Sequence, residues 1–387
     1  MVSTSPSTIS EPQLKRSFRG HKAPVSALAF NPTQAQVVSA SQDSTLHLWH
    51  FAPEIRPFRF AGHRAPVTDV CYSPTGDVIA SASEDETVRL WQNNSEGRSL
   101  VLRAHRAPVR SVAFSGDGGL LLTSSDDQTL KVYQAVDRSF RFSLSGHSAS
   151  IRSARFSPDS RLVASGSDDR TVKLWDVAQM DCLATFTDNL AELLCVRFHP
   201  DGTCIAGSGA DRKIRLWDVR SQRLLQTYEG HTGAVTMTSF SPSGGYLLSA
   251  CEDSGVKIWD LRQGTALYTL IGHERGASAA AWSERGDFFV TGGRDNLVLL
   301  WKSNISSENE PVPEHTSASK RPLSSKSASR ASPMTRSLAS SQVLQASALS
   351  PKLFDTRRSL LPAVTSIDVL ETHPLLPSTA TRPVPST

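Results

Sequence analysis

The sequence has little cysteine, no long apolar run and no large excess of charge of either sign. Its five cysteines are odd in number and form no Cys-x-x-Cys pair, which excludes a disulfide framework and the usual spacing of zinc sites. We expect them to be small apolar fillers in a reducing compartment, with no metal and no cofactor bound. They are Cys71, Cys182, Cys195, Cys204 and Cys251.

No stretch approaches the length of a membrane span, and the first residues, MVSTSPSTISEPQ, lack the apolar core of a signal peptide. The net charge is +4, and residues 302–387 hold ten Lys/Arg against six Asp/Glu, which leaves 31 of each in the residues before them. The residues before 302 are therefore neutral overall and lack the excess of positive charge that nucleic-acid binding needs. We therefore expect a soluble intracellular protein that binds neither nucleic acid nor membrane.

One sequence motif recurs seven times at intervals of 42 residues. Its aromatic residue falls at Trp49, Trp91, Tyr133, Trp175, Trp217, Trp259 and Trp301. An aspartate precedes each by six residues, and a histidine opens every repeat except the fifth, where Asn189 takes its place. A period of this length with Gly-His early and Trp or Trp-Asp late is typical of four-stranded propeller blades, so the chain resembles a WD40 protein.

The fourth repeat shows the strand pattern of one blade. Alternating apolar and polar residues predict strands over 151–156, 162–165, 171–175 and 182–186, separated by turns rich in Ser, Asp and Pro. Seven such units predict an all-β, seven-bladed WD40 propeller over residues 14–302. The composition on either side predicts a disordered N-terminus over 1–13 and a disordered Ser/Thr/Pro-rich tail over 303–387.

The ends of the repeat region predict how the ring closes. The pattern stops after Trp301, so the seventh blade lacks an outer strand of its own. Residues 14–19 stand in the frame of the outer strands near 56–61 and 266–271. We predict that this segment supplies the missing strand and closes the ring, because an open edge leaves N–H and C=O groups unpaired.

A histidine, a hydroxyl, an aspartate and an aromatic residue recur together in six repeats. A hydrolase triad is one interpretation, but six equivalent copies favour a structural role in which every buried donor finds an acceptor. In WD40 proteins this tetrad joins the loops to the third strand, which the resemblance implies here. The six sets are His21, Ser39, Asp43 and Trp49; His63, Ser81, Asp85 and Trp91; His105, Thr123, Asp127 and Tyr133; His147, Ser165, Asp169 and Trp175; His231, Ser249, Asp253 and Trp259; His273, Thr291, Asp295 and Trp301.

The fifth repeat departs from the pattern. It has Asn189 for His and Gly207 for Ser or Thr, and it keeps Asp211 and Trp217. We expect blade 5 to be the loosest. Sequence drift explains the change, and the alternative is that its altered loop, residues 188–194, contacts a partner.

WD40 propellers bind proteins with the face that carries the His and Asp loops, using residues three and five after the histidine and the one before the aspartate. This resemblance makes Arg110, Arg152 and Arg294 the candidate partner-binding residues, since arginine is frequent in binding hot spots. Separately, residues 217–220 and 259–262 match the W-D-x-R motif of cullin-ligase substrate receptors. A substrate-receptor adaptor is therefore the alternative function.

Particular phrases resemble one family, the centriolar WD40 proteins called proteome of centriole protein one. The similarity implies a non-enzymatic scaffold that supports centriole assembly or stability and ciliogenesis, with centriolar or microtubule-associated partners and a monomeric propeller. It also implies a location in the cytoplasm and cytoskeleton, at centrioles and basal bodies. The phrases are residues 79–83 with 87–91, 103–105 with 109–112, 167–176, 196–206, 267–270, 286–287 and 301–302.

Overall fold

Every regular element is a β-strand in the computed structural model, which describes residues 11–33, 35–94 and 97–305. The 28 strands form seven four-stranded sheets, and neighbouring strands within each sheet are antiparallel. The predicted all-β, seven-bladed propeller is confirmed. These described residues contain no helix with the length and apolar character needed to cross a lipid bilayer.

Six blades consist of consecutive strands. Blades 1 to 3 contain β2 to β13: Val25–Phe30, Gln36–Ser41, Thr45–His50, Phe58–Ala61; Val67–Tyr72, Val78–Ser83, Thr87–Gln92, Ser99–Arg103; Val109–Phe114, Leu120–Ser125, Thr129–Gln134, Phe140–Ser145. Blades 4 to 6 contain β14 to β25: Ile151–Phe156, Leu162–Ser167, Val172–Asp176, Cys182–Phe186; Leu193–Phe198, Cys204–Gly209, Ile214–Asp218, Leu224–Tyr228; Val235–Phe240, Tyr246–Cys251, Gly255–Asp260, Thr265–Ile271. Blade 7 contains β26 to β28, which are Ala277–Trp282, Phe288–Gly293 and Leu297–Lys302, together with β1, Gln13–Arg19.

The N-terminal strand closes the ring as predicted, and it begins one residue earlier than the pattern indicated. β1 pairs with β28 along its whole length, with Arg16 opposite Leu300 and Arg19 opposite Leu297. Phe18 is 4% exposed and packs in the core between blades 7 and 1, its ring centroid 5.1 Å from that of Trp49. Ring closure therefore depends on a strand from the opposite end of the repeat region.

The first strands of consecutive blades contact one another around the centre, and β26 contacts β2 to complete the circle. Each first strand has a bulge at its second residue, so Arg152, for example, is skipped between the pairs Ile151/Ser167 and Ser153/Gly166. A bulge leaves one residue unpaired and changes the direction of its side chain. The bulged residue is the one five positions after the tetrad histidine.

The turn that carries each tetrad aspartate has the same backbone in every blade. Its following residue adopts a left-handed conformation, with φ between 65° and 70°. The aspartate carboxylate accepts a hydrogen bond from the backbone N–H two residues later, as in Thr45 N–H to Asp43 Oδ1 at 3.0 Å. This side-chain turn offsets part of the cost of the unusual φ.

The residues just after β28 remain on the propeller. Ser303 is buried, its N–H donates to the Asp287 carbonyl at 2.9 Å, and its hydroxyl donates to the Gly286 carbonyl at 2.6 Å. Asn304 Nδ2 donates to the carbonyl of Glu11, and Ile305 packs against a blade core. The predictions of disorder over residues 1–10 and 306–387 lie outside the described residues.

Candidate partner-binding face

The tetrad residues of a repeat meet in one hydrogen-bonded chain. In blade 4, His147 Nδ1 lies 2.7 Å from Asp169 Oδ2 and Nε2 lies 2.7 Å from Ser165 Oγ. The indole N–H of Trp175 donates to the same hydroxyl oxygen at 2.8 Å. Blades 1, 2 and 7 repeat this geometry, with the corresponding distances between 2.7 and 3.1 Å.

The shared hydroxyl of each tetrad is buried inside the blade, where it is not accessible to a substrate. All six Ser or Thr side chains at this position are fully buried, and in five blades the oxygen accepts the indole proton. A nucleophile must reach a carbonyl from a cleft. The tetrads instead connect the histidine loop, the aspartate turn and the third strand of a blade.

Burial and hydrogen bonding shift the pKa values of the tetrad groups. Burial would raise the pKa of Asp43, but hydrogen bonds from Thr45, from the N–H of Lys22 and from the nearby His21 hold it at about 2. Burial lowers the pKa of several tetrad histidines, and the facing aspartate only partly opposes this effect: His21, His147, His231 and His273.

We predict that acid destabilises the propeller in two steps. The unfolded chain protonates these histidines near their ordinary pKa of 6.5, whereas the folded chain does so only at lower pH, so the free energy of unfolding falls as pH drops from about 7.5 to 5. A second loss follows below pH ~4, where the unfolded chain protonates Asp43 before the folded chain does. Urea unfolding at several pH values measures both steps, and a free energy that stays level between pH 7.5 and 5 contradicts the first.

Blade 3 departs from the predicted tetrad at its aromatic member. The hydroxyl of Tyr133 donates to the carbonyl of Ala104 at 2.9 Å and makes no bond to Thr123. A phenol carries its donor at the far end of the ring, so it reaches the loop backbone that precedes His105. His105 keeps its contacts with Thr123 and Asp127, each at 2.8 Å.

In blade 5 the tryptophan donates to a residue that the sequence analysis did not single out. A Cβ on Gly207 would lie 2.7 Å from the Trp217 ring, so the indole occupies the space of the missing hydroxyl. Its N–H donates to Asp188 Oδ2 at 2.8 Å. In the sequence, the only indication of this acceptor is that Asp188 directly precedes Asn189, which occupies the histidine position.

An arginine replaces the histidine as the partner of the blade 5 aspartate. Arg215 Nη1 lies 2.5 Å from Asp211 Oδ2 and 3.3 Å from Asn189 Oδ1, and Asn189 Nδ2 donates to the carbonyl of Arg170. The side chains of Arg215 and Asp211 are 6% and 8% exposed. Blade 5 therefore has a different buried polar network in place of the tetrad.

The residue at the bulged position is Ser or Thr in four blades, Arg in two, and Leu194 in blade 5. In blades 1, 2, 6 and 7 the bulged residue is Ser or Thr, and its hydroxyl donates to a first-strand carbonyl of the next blade: Ser26 to Val67, Thr68 to Val109, Thr236 to Ala277 and Ser278 to Val25. In blades 3 and 4 the bulged residues are the predicted Arg110 and Arg152. Ser111 and Ser153 donate to the next blade there instead. The two arginines therefore do not make this hydrogen bond to the backbone of the next blade.

Arg110 and Arg152 are held by carboxylates of the same face. Arg110 Nε donates to both oxygens of Asp126 at 2.9 Å, and its Nη1 lies 2.8 Å from Glu84 of blade 2. Arg152 Nε contacts both oxygens of Asp168 at 2.8 and 2.9 Å. Fork-shaped pairing of this kind fixes a guanidinium in place.

The third candidate lies apart from the other two. Arg294 belongs to blade 7 and pairs with Glu252 of blade 6. The structure therefore brings Arg110 and Arg152 together on neighbouring blades and leaves Arg294 on a separate part of the ring.

Two features escaped the sequence analysis because they join residues far apart in the chain. In the centre of the ring, Arg155 Nη2 lies 2.8 Å from Asp69 Oδ2, which links blade 4 to blade 2. A largely apolar groove of about 500 Å³ lies between blades 2 and 3, lined in part by Leu90, Leu100 and Val136. Val136 is 84% exposed.

The W-D-x-R turns are closed by their own aspartates. Asp218 Oδ1 accepts from the N–H groups of Arg220 and Ser221, and Asp260 does the same for Arg262 and Gln263. Asp176 of blade 4 closes an identical turn in which no arginine occurs. The guanidinium groups of both motifs belong to exposed residues and are not needed for the turn.

Comparison with known proteins finds one family along the chain. The WD40 family, described as WD domain, G-beta repeat, matches residues 12–50, 56–92, 97–134, 138–176, 180–218, 222–260 and 264–302. These segments make up more than half of the sequence and correspond to the seven blades.

Among individual proteins, short segments are similar to proteins named as centriolar. POC1 centriolar protein homolog B of Danio rerio is 45% identical over 54 residues, 14% of this chain and 11% of that protein. POC1 centriolar protein homolog A of Xenopus tropicalis is 42% identical over 50 residues, and that of Bos taurus 48% over 49 residues. These two matches span 13% of this chain and 11–12% of the relatives.

Proposed function

Since this chain belongs to the WD40 family, we propose that it is a non-enzymatic scaffold that binds centriolar or microtubule-associated proteins at centrioles and basal bodies, in support of centriole assembly and ciliogenesis. The fold typically provides surfaces for protein interaction and implies no chemistry by itself. The relatives with similar segments are named as centriolar proteins. We propose the cytoplasm and its cytoskeleton as the location and a monomeric propeller as the working unit.

The observation that carries this proposal is the pair of arginines on blades 3 and 4. Ser or Thr at the bulged position donates to a backbone carbonyl of the next blade, whereas Arg110 and Arg152 pair with carboxylate side chains of the face and stay partly exposed. Their ion pairs order the guanidinium groups before a partner arrives, which lowers the entropy cost of binding. Arginine fixed in this way is a frequent hot spot of protein interfaces.

We predict that changing both arginines weakens partner binding without unfolding the ring. In Arg110→Gln/Arg152→Gln, the loss of two hot-spot side chains is expected to cost about 2 kcal/mol or more, a ~30-fold loss of affinity. Affinity purification of the full chain from ciliated cells, with quantification of centriolar proteins, measures this. A matched control, Arg141→Gln/Arg161→Gln, removes the same charge from the same two blades at exposed residues outside the first strands. Equal recovery by both double variants contradicts the proposal.

A cullin-ligase adaptor remains the second candidate, because two exposed arginines follow Trp-Asp on adjacent blades and their side chains are spare in the turn. The double variant Arg220→Ala/Arg262→Ala separates the two functions. Under the scaffold proposal it recovers centriolar partners as the unchanged protein does. If cullin adaptors dominate the purification and disappear in this variant, the scaffold proposal is wrong.

A further inference from the structure

Blade 6 differs from the other histidine-bearing blades at its aspartate. His231 Nδ1 and Asp253 Oδ2 are 3.5 Å apart, whereas this distance is 2.7–3.1 Å in the other five. The Asp253 carboxylate accepts the N–H of Thr232 at 2.8 Å, as the equivalent aspartates of blades 1, 2, 4 and 7 accept theirs, and it also accepts the Thr232 hydroxyl at 2.9 Å. The His231 side chain is 1% exposed, and its Nδ1 has no hydrogen-bond partner among the described residues.

Blade 6 also carries a thiol where four other blades carry a hydroxyl. The residue two before the tetrad aspartate is Ser41, Ser83, Ser125 or Ser167 in blades 1 to 4 and Cys251 in blade 6. Those serines each donate to a loop carbonyl of their own blade. Cys251 is fully buried, and its Sγ, a ring nitrogen of His231 and an Asp253 oxygen lie within 4.8 Å of one another. The Sγ also accepts the N–H of Asp253 at 3.5 Å.

We propose that His231, Cys251 and Asp253 form a zinc site. Imidazole, thiolate and carboxylate are the ligands that Zn²⁺ takes in proteins, at about 2.0–2.3 Å. Ligand atoms around a tetrahedral ion at those lengths are about 3.3–3.6 Å apart. The distance of 3.5 Å between His231 Nδ1 and Asp253 Oδ2 is too long for a good hydrogen bond. It matches the distance between two ligand atoms of a tetrahedral zinc ion.

The surroundings of the histidine suit a metal ligand. His231 Nε2 lies 2.7 Å from Ser249 Oγ, which also accepts from the Trp259 indole at 2.9 Å. When Nε2 donates its proton to that oxygen, Nδ1 carries the lone pair and lies 3.5 Å from the Asp253 carboxylate. The Asp253 side chain is 18% exposed, so water can reach the fourth position. An ion here stabilises the turn between β23 and β24 and is independent of the scaffold function.

The sequence alone predicts no metal site, because no ligand pair has the common spacing. The three ligands of this site are 20 and 2 residues apart, and only the fold of the blade brings them together. The site is indicated by a buried, unpaired ring nitrogen of His231 that shares a cluster with a thiol and a carboxylate, and no sequence motif marks it.

Cobalt titration of the full-length protein tests the site. We expect one Co²⁺ per chain to produce a thiolate-to-cobalt charge-transfer band, Zn²⁺ to abolish the band, and Zn²⁺ to raise the melting temperature by several degrees. Cys251→Ser installs the residue found in blades 1 to 4, so it folds, and it should lose both the band and the Zn²⁺-dependent shift. Cys182→Ser and Cys195→Ser should retain them.

Absence of the band in the unchanged protein overturns the proposal, and so does a band that persists in Cys251→Ser or disappears in Cys195→Ser. Asp253→Asn provides a second variant, because asparagine keeps an oxygen acceptor for Thr232 and removes the carboxylate charge. It should reduce Co²⁺ binding while the apoprotein melts as a single transition. Unchanged Co²⁺ affinity in Asp253→Asn also overturns the proposal.

Discussion

Deletion of residues 1–19 is expected to abolish cooperative unfolding and to yield an aggregating protein. The deletion removes β1, exposes the edge of β28, and takes Phe18 out of the core between blades 7 and 1. An exposed strand edge pairs readily with other chains. Thermal unfolding followed by circular dichroism, together with size-exclusion chromatography, measures both effects.

A point substitution isolates the packing part of this effect. Phe18→Ala should cost about 3–5 kcal/mol of unfolding free energy and lower the melting temperature by at least ~6 °C. Ser17→Ala, on the exposed side of the same strand, should change stability by no more than about 0.5 kcal/mol. Deleting only residues 1–10 leaves β1 intact and serves as the length control. If the protein without residues 1–19 melts as the full chain does, β1 does not close the ring.

Arg215→Ala is expected to be among the most destabilising single substitutions in blade 5. It leaves the Asp211 carboxylate buried without a cation, which costs about 3–5 kcal/mol for buried ion pairs in general. Removing both charges in Arg215→Met/Asp211→Asn should recover most of the loss, because well-packed neutral residues replace a buried pair at little cost. Equilibrium urea unfolding of the three proteins gives these differences.

Lys173→Ala is the matched control, since Lys173 stands in the same strand register of blade 4. Its ammonium donates to Thr185 near the surface, and its loss should cost less than about 1 kcal/mol. Equal destabilisation by Lys173→Ala and Arg215→Ala contradicts a buried network in blade 5. A small loss in Arg215→Ala supports the sequence-based expectation that this blade is the loosest.

Much of the architecture follows from local pattern. Alternating apolar residues and Asp-centred turns predicted the strands of the fourth repeat to within two residues at each end, including 162–165 against the observed Leu162–Ser167. Closure of the ring by β1 was predictable, because a segment that aligns with the outer strands of other blades precedes the first repeat. Repetition made these inferences secure, since each blade tests the interpretation of the others.

The candidate site was less predictable, because its key contacts depend on geometry that the pattern does not encode. The bulge that turns Arg110 and Arg152 to the face arises from strand pairing. Arg215 of β20 contacts Asp211 of the turn and Asn189 of the preceding loop, and the repeat pattern gives no sign of this arrangement. The groove between blades 2 and 3 requires packing of separate repeats.

The proposed role of this ring as a centriolar scaffold is tested most directly by its position in the cell. Fluorescent tagging of the full chain, imaged in ciliated cells beside a centriole marker, should show paired foci that persist at the ciliary base. The Arg110→Gln/Arg152→Gln variant should lose much of this signal, whereas Arg141→Gln/Arg161→Gln should keep it. Diffuse fluorescence of the unchanged chain, without enrichment at the marker, contradicts the account.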